Sequence, residues 1–88
     1  IPQDPDARLL CDIDLSILGR DPSRFEQFEQ QIRQEYARVP ELLYRNGRSR
    51  ILSGFLQRAS IYQTPAFVAE YETQARRNLE GALVRLST

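Results

Sequence analysis

Two aspartates separated by a single residue, Asp12 and Asp14, are the acids whose spacing most suggests chemistry. On a regular helix they point roughly 200° apart, so their carboxylates do not converge on one ion. Asp12 shares a polar strip with Arg8 and Ser16, and it is predicted to be solvated or to pair with Arg8. Asp14 falls in the middle of the apolar arc, and it is predicted to be buried.

A buried Asp14 needs a partner, because a carboxylate in an apolar environment is destabilising unless it is paired, protonated or bound to a metal. The residue types favour a structural ion pair with Arg48, which lies at the centre of the apolar face predicted for the third helix. Metal ligation by Asp14 is the second interpretation. It requires ligands from elsewhere, because one carboxylate does not make a metal site.

The residue counts exclude several kinds of site. The 88 residues contain no histidine, so Ser-His-Asp and Cys-His catalysis and the usual zinc sites cannot be built from this chain alone. The four glycines stand far apart, which excludes a glycine-rich phosphate loop. Cys11 is the one cysteine, and it is predicted to be a small buried apolar group in a protein of the reducing cytoplasm. Tyr36 and Tyr71 are predicted to be core residues with bonded hydroxyls.

Charge and hydropathy exclude further classes of partner. The formal net charge is zero and all twelve basic residues are arginine, interspersed with acids, which argues against nucleic acid as the main partner. No apolar run approaches the ~20 residues needed to cross a bilayer, so no membrane partner is expected. The sequence begins at Ile1 and contains no methionine, which predicts a fragment of a longer protein.

Helical periodicity and helix-start signals then give the elements that position these residues. Apolar side chains recur at three- and four-residue spacing, Asp21-Pro22 and Thr64-Pro65 are typical of helix starts, and alternation typical of strands is not sustained. Helices are predicted over about 6–18, 22–39, 40–59 and from 65 onward, with Gly19 ending the first and a possible break near Gly47 in the third. The sequence therefore predicts an all-α bundle of about four helices, with residues 1–88 forming a single unit.

The string Leu10-Cys11-Asp12-Ile13-Asp14-Leu15-Ser16-Ile17-Leu18-Gly19 resembles the last motif of a bacterial family of predicted metal-dependent HD-superfamily phosphohydrolases. Five further strings fit the C-terminal half of that family in order: Ile32-Arg33-Gln34-Glu35-Tyr36, Gly47-Arg48, Phe55-Leu56-Gln57-Arg58, Ile61-Tyr62-Gln63-Thr64 and Ala75-Arg76-Arg77-Asn78-Leu79. The resemblance covers nearly the whole chain from Leu9 onward.

The resemblance implies the C-terminal part of an HD-type helical domain that hydrolyses a phosphorylated small molecule or nucleotide. Asp14 is its first candidate as ligand of a divalent metal, and Asp12 is the second. The histidines of such a site would lie upstream of Ile1, so this chain alone is expected to bind metal weakly or not at all and to turn over no substrate. Arg33 or Arg48 is expected to bind the substrate and to neutralise charge that develops on its phosphoryl group.

An alternative of a different class is a catalytically silent helical module that acts through oligomerisation or partner binding. The apolar stripes of the second and fourth helices would then form an intermolecular seam, and a homo-oligomer would be expected.

Overall fold

The computed structural model describes residues 4–88, and within that range it contains helices and no strand. The elements are α1 (Pro5–Leu15), a 3-10 helix (Ser16–Gly19), α2 (Pro22–Glu35), α3 (Glu41–Leu56) and α4 (Pro65–Ser87). The prediction of an all-α bundle of about four helices is confirmed. Across these described residues, no helix combines the length and the apolar character needed to span a membrane.

Capping residues set where the first two helices begin. The Asp4 carboxylate accepts a hydrogen bond from the Asp6 amide at 3.2 Å, and Asp21 accepts one from the Arg24 amide at 2.9 Å. A proline follows each cap at the first helical position, where its missing N–H leaves no intrahelical hydrogen bond unmade. The helix start predicted at Asp21-Pro22 is confirmed.

Three predicted helix ends are wrong by three or four residues, and one of them is that of the second helix, which was predicted to reach about 39 and ends at Glu35. The first α-helix ends at Leu15 and tightens into the 3-10 helix, and Gly19 does not adopt the positive φ expected of a C-terminal glycine. The third ends at Leu56 instead of near Ala59. It also runs through Gly47 without a break, because a glycine inside a helix costs only about 1 kcal/mol and burial of Leu52 helps to hold α3 in place.

The core lies along α4, which packs against α3 and against the 3-10 helix. Burying an aliphatic side chain contributes about 1.5–3 kcal/mol, so the fully enclosed leucines and isoleucine account for much of the packing energy. The core consists of Leu18, Phe25, Leu52, Ile61, Tyr62, Ala75, Leu79 and Ala82.

The 3-10 helix is where the N-terminal elements meet the core. It contacts α1, α2 and α4, and Gly19 brings its backbone against α4. A Cβ at position 19 would lie 2.6 Å from Tyr71 Cβ and 2.8 Å from the Tyr71 carbonyl oxygen. Gly19 is therefore required for close approach of two backbones, and that packing orients α1.

Candidate functional site

Asp12 is fully buried and bonded through both carboxylate oxygens to the start of α4. Its Oδ1 accepts the Gln63 amide at 2.9 Å, and its Oδ2 accepts the Thr64 amide and the Thr64 hydroxyl, each at 2.7 Å. A carboxylate at a helix N-terminus is also favoured by the helix dipole. The prediction that Asp12 is solvated is wrong, because α1 turns this face, and not the Asp14 face, toward the bundle.

Asp14 is exposed, so the prediction that it is buried is also wrong. The arc of α1 that carries it is not covered by another element of the described range, and its neighbours Leu10 and Ile13 are 63% and 49% exposed. The predicted Asp14–Arg48 pair is wrong as well, because Arg48 is bonded to Glu29. Asp14 is left as the uncommitted acid of the pair.

A groove of about 800 Å³ runs between α1 and the segment that joins α3 to α4, and Asp14 lies in its wall. The wall is mainly apolar with a few polar groups, a composition typical of small-molecule sites. The other residues that line the groove include Cys11, Phe55, Arg58, Ser60 and Gln63. A second charged side chain, that of Arg58, lies in the same wall.

Glu72 of α4 fixes the shape of the connecting segment behind this groove. Its carboxylate accepts the Ile61 amide at 3.0 Å and the Tyr62 amide at 3.2 Å, and it pairs with Arg76 at 2.8 Å. Burial acts to raise the pKa of Glu72, but these amides and the Arg76 guanidinium outweigh it and hold the pKa below its ordinary value. The ionised carboxylate therefore stabilises the segment.

Arg76 completes the anchoring by closing the end of α3. Its guanidinium donates to the carbonyl oxygens of Leu56 at 3.1 Å, Arg58 at 2.8 Å and Ala59 at 3.3 Å. Carbonyls at a helix C-terminus have no intrahelical partner. Arg76 supplies the donors that the backbone of a C-terminal glycine motif supplies in many other helices. The Glu72–Arg76 pair therefore lies at the centre of a polar network.

Asn78 and Tyr62 hold the 3-10 helix from the other side. The Asn78 amide donates to the carbonyl oxygens of Leu18 at 2.9 Å and Arg20 at 2.8 Å. The Tyr62 hydroxyl donates to the Leu15 carbonyl oxygen at 2.8 Å, and burial raises the pKa of Tyr62 so that the hydroxyl stays protonated. These bonds explain why α1 ends at Leu15: its last carbonyl is taken by a side chain of the core.

Arg33 and Arg48 lie away from the groove. Arg33 donates to the Tyr36 carbonyl at 2.8 Å and pairs with Glu41 at 3.0 Å. Arg48 makes a two-point pair with Glu29, and both side chains are mostly buried. Burial alone would lower the pKa of Arg48, but the bonds with Glu29 raise it above its ordinary value. Both arginines join α2 to α3, and their predicted substrate-binding role stays a prediction.

Three other predicted positions have mixed outcomes. Tyr36 is 54% exposed, so its placement in the core is wrong. Tyr71 is partly buried in an aromatic cluster, with ring centroids 5.9 Å from Tyr62 and 5.4 Å from Phe67. Cys11 is half-buried with a free thiol and lies in the groove wall.

The described residues do not by themselves fit a divalent metal. Between positions 4 and 88, no three Asp, Glu or Cys side chains come together in a way that could hold an ion. Asp12 is fully buried, and both of its oxygens already accept hydrogen bonds from Gln63 and Thr64. Asp14 is a single ligand, whereas divalent metals in proteins take three or more protein ligands or keep several waters.

Sequence reasoning missed Arg58, Gln63 and Glu72 as residues of this region. Arg58 and Gln63 lie within strings that carried the family resemblance, which was the available signal. Comparisons with protein-family models, with curated proteins and with solved structures find no match for this chain.

Proposed function

We propose that this chain is the C-terminal portion of a metal-dependent phosphohydrolase with an HD-type helical domain, and that Asp14 is its contribution to the metal site. The substrate is a phosphate ester or nucleotide. One observation carries the proposal: of two acids in one short motif, one is buried in a hydrogen-bond network and the other lines an open groove.

The division matters because a metal ligand needs an oxygen lone pair that is not already occupied. Both oxygens of Asp12 accept short hydrogen bonds, and withdrawing them would leave the Gln63 and Thr64 amides unpaired. Asp14 can accept a ligand without breaking any such bond. The geometry therefore supports Asp14, the first candidate of the resemblance. It does so because Asp14 is exposed along a groove, and not because it is buried.

The remaining ligands are supplied, in this proposal, by residues outside the described range. The single free carboxylate does not hold a divalent ion, so the chain alone is expected to be inactive. The apolar rim beside Asp14, formed by Leu9, Leu10 and Ile13, is 42%, 63% and 49% exposed, and further helices packed there would both cover it and bring ligands to Asp14. A reducing cytoplasm is part of the proposal, since the thiol of Cys11 is free.

The test uses the intact product of the gene that encodes this chain. Asp14→Asn should lower kcat for p-nitrophenyl phosphate or nucleotides by at least about 100-fold and reduce the bound metal per protein, measured by mass spectrometry. Asp6→Asn, an equal charge change on an exposed residue of α1, is the control and should change neither. Full activity and full metal content in the Asp14 variant would contradict the proposal.

A second candidate, an oligomerisation or partner-binding module without catalysis, is favoured by the apolar groove between α2 and α3. This groove has a volume of about 340 Å³, and the side chains of Tyr36, Leu43 and Ile51 in its wall are 54%, 63% and 53% exposed. Sedimentation velocity of the chain distinguishes the candidates. A dimer that Leu43→Ser dissociates, together with an inactive intact protein, would favour the module over the enzyme.

A further inference from the structure

The groove beside Asp14 contains one positive charge in its wall, the guanidinium of Arg58. Asp14 and Arg58 therefore place two charges of opposite sign along one mainly apolar groove. Four other arginines, Arg33, Arg45, Arg48 and Arg76, each have a carboxylate within 4.0 Å. Arg58 forms no such pair with any acid of residues 4–88.

Arg58 is held in position although most of its donors remain free. The guanidinium lies over the Phe55 ring, 5.0 Å from the centroid, and makes one long hydrogen bond of 3.4 Å to the Ile61 carbonyl oxygen. The Arg58 carbonyl is fixed in turn by Arg76. A guanidinium has five N–H donors, so most of those on Arg58 are available to a ligand. A stacked arginine loses little freedom on binding, which favours recognition of an oxyanion.

Gln63 adds a second uncommitted polar group to the same wall. Its backbone amide is held by Asp12, but its side-chain Oε1 is enclosed and accepts no hydrogen bond from the described residues. An enclosed oxygen without a donor is uncommon in a folded protein, and a bound water, ion or ligand that supplies the missing bond is among the explanations for such a group. Phe55 and Leu15 provide the apolar part of the wall.

We propose that Arg58, and not Arg33 or Arg48, binds the phosphoryl group of the ligand in the groove that Asp14 lines. The ligand class is a phosphate monoester with an aromatic or apolar body that carries a hydrogen-bond donor for Gln63. This inference rests on the proposed function and names the phosphate-binding residue of that site.

The first experiment needs no catalysis. The ¹⁵N-labelled chain is titrated with inorganic phosphate and with phenyl phosphate at constant ionic strength, and the arginine Nε–H resonances are followed by NMR. The Arg58 resonance should shift with saturation, and phenyl phosphate should bind more tightly than inorganic phosphate because of the apolar wall. Arg58→Gln should weaken binding at least about tenfold. Asp14→Asn should tighten it roughly twofold, because a like charge is removed from the groove.

The matched control is Arg50→Gln, the same charge change on an exposed arginine outside the groove, and it should leave the affinity unchanged. Equal weakening by Arg50→Gln and Arg58→Gln, or shifts at Arg33 or Arg48 in place of Arg58, would overturn the inference.

Kinetics of the intact gene product separate this inference from the proposed function. Arg58→Gln should raise KM for phenyl phosphate more than it lowers kcat, and Arg58→Lys should recover part of the loss. If Asp14→Asn abolishes turnover while Arg58→Gln leaves KM unchanged, the inference fails and the proposed function stands. If Arg58→Gln weakens binding but Asp14→Asn leaves turnover intact, the proposed function fails.

Discussion

The segment that joins α3 to α4 and the outer face of α1 lie on two sides of one groove, and they differ in how completely their polar groups are bonded. On the first side, the carboxylates of Asp12 and Glu72 accept hydrogen bonds from backbone amides of residues 61–64. Arg76 donates to backbone carbonyl oxygens of residues 56–59. On the other side, Asp14 is exposed between apolar neighbours. The difference teaches that two acids in one short motif can have opposite environments, one inside a hydrogen-bond network and one exposed beside a groove.

The largest expected effect comes from removing the buried acid. Asp12→Ala leaves the amides of Gln63 and Thr64 and the Thr64 hydroxyl without an acceptor, and each buried unpaired donor costs about 1–3 kcal/mol. We expect a loss of about 4 kcal/mol in the free energy of unfolding, measured by urea denaturation. Asp12→Asn, which keeps one carbonyl oxygen, should lose about half as much. A loss below about 1 kcal/mol in Asp12→Ala would break the comparison.

The next largest effect concerns the close approach of the 3-10 helix to α4. Gly19→Ala places a Cβ 2.6 Å from Tyr71 Cβ and 2.8 Å from its carbonyl oxygen, where the backbone must shift. We expect a loss of about 3 kcal/mol in a urea titration followed by circular dichroism. Gly54→Ala is the control, because nothing lies within 4 Å of an added Cβ there. It should stabilise α3 by about 0.5–1 kcal/mol, and effects of one sign at both glycines would contradict this packing.

A smaller effect, of about 1.5 kcal/mol at pH 7, is expected from Glu72→Gln, which keeps the shape and removes the charge. The pKa of Glu72 is below its ordinary 4.5 in the folded chain, so its ionised form adds stability above that pH, and this stability is lost as pH falls through the lowered pKa. The variant and the parent should therefore converge in urea midpoint between pH 7 and pH 3. Glu80→Gln, an exposed position on α4, should run parallel to the parent at every pH. If the difference in urea midpoint between Glu72→Gln and the parent stays constant with pH, the effect of Glu72 comes from packing and not from charge.

These residues also mark what the sequence can and cannot predict. The helix starts at Asp21-Pro22 and Thr64-Pro65 follow from local sequence signals, and the structure confirms both positions. Asp21 caps its helix, whereas the Thr64 side chain makes no capping bond and donates to Asp12. Gly19 was recognised as an ending residue, but its reason, contact with Tyr71, involves a residue 52 positions away and has no local signal.

The assignment of Asp12 and Asp14 failed for a related reason. Apolar periodicity places the core side of a helix correctly when apolar residues are buried, but Leu10 and Ile13 are exposed here. The face of α1 is chosen by Thr64 and Gln63, whose amides need an acceptor, and that requirement arises only once α4 has started beside α1. Two arguments singled out Asp14, its predicted burial and the family resemblance, and because Asp14 is exposed only the resemblance remains.

The smallest expected effect on stability is that of Asp14→Asn, and it sharpens the comparison because it is the same substitution as Asp12→Asn two residues away. Asp14 accepts no hydrogen bond on which a buried donor depends, so the variant should unfold within about 0.5 kcal/mol of the parent, against about 2 kcal/mol for Asp12→Asn. Urea midpoints of the two variants, measured side by side, give the difference directly. Equal destabilisation by both would mean that Asp14 also supports the fold, and the division of labour between the two acids would be lost. If Asp14→Asn leaves the stability unchanged, the fold does not use the Asp14 carboxylate of the parent protein. That carboxylate is then free for a ligand, which is the condition that the proposed function requires.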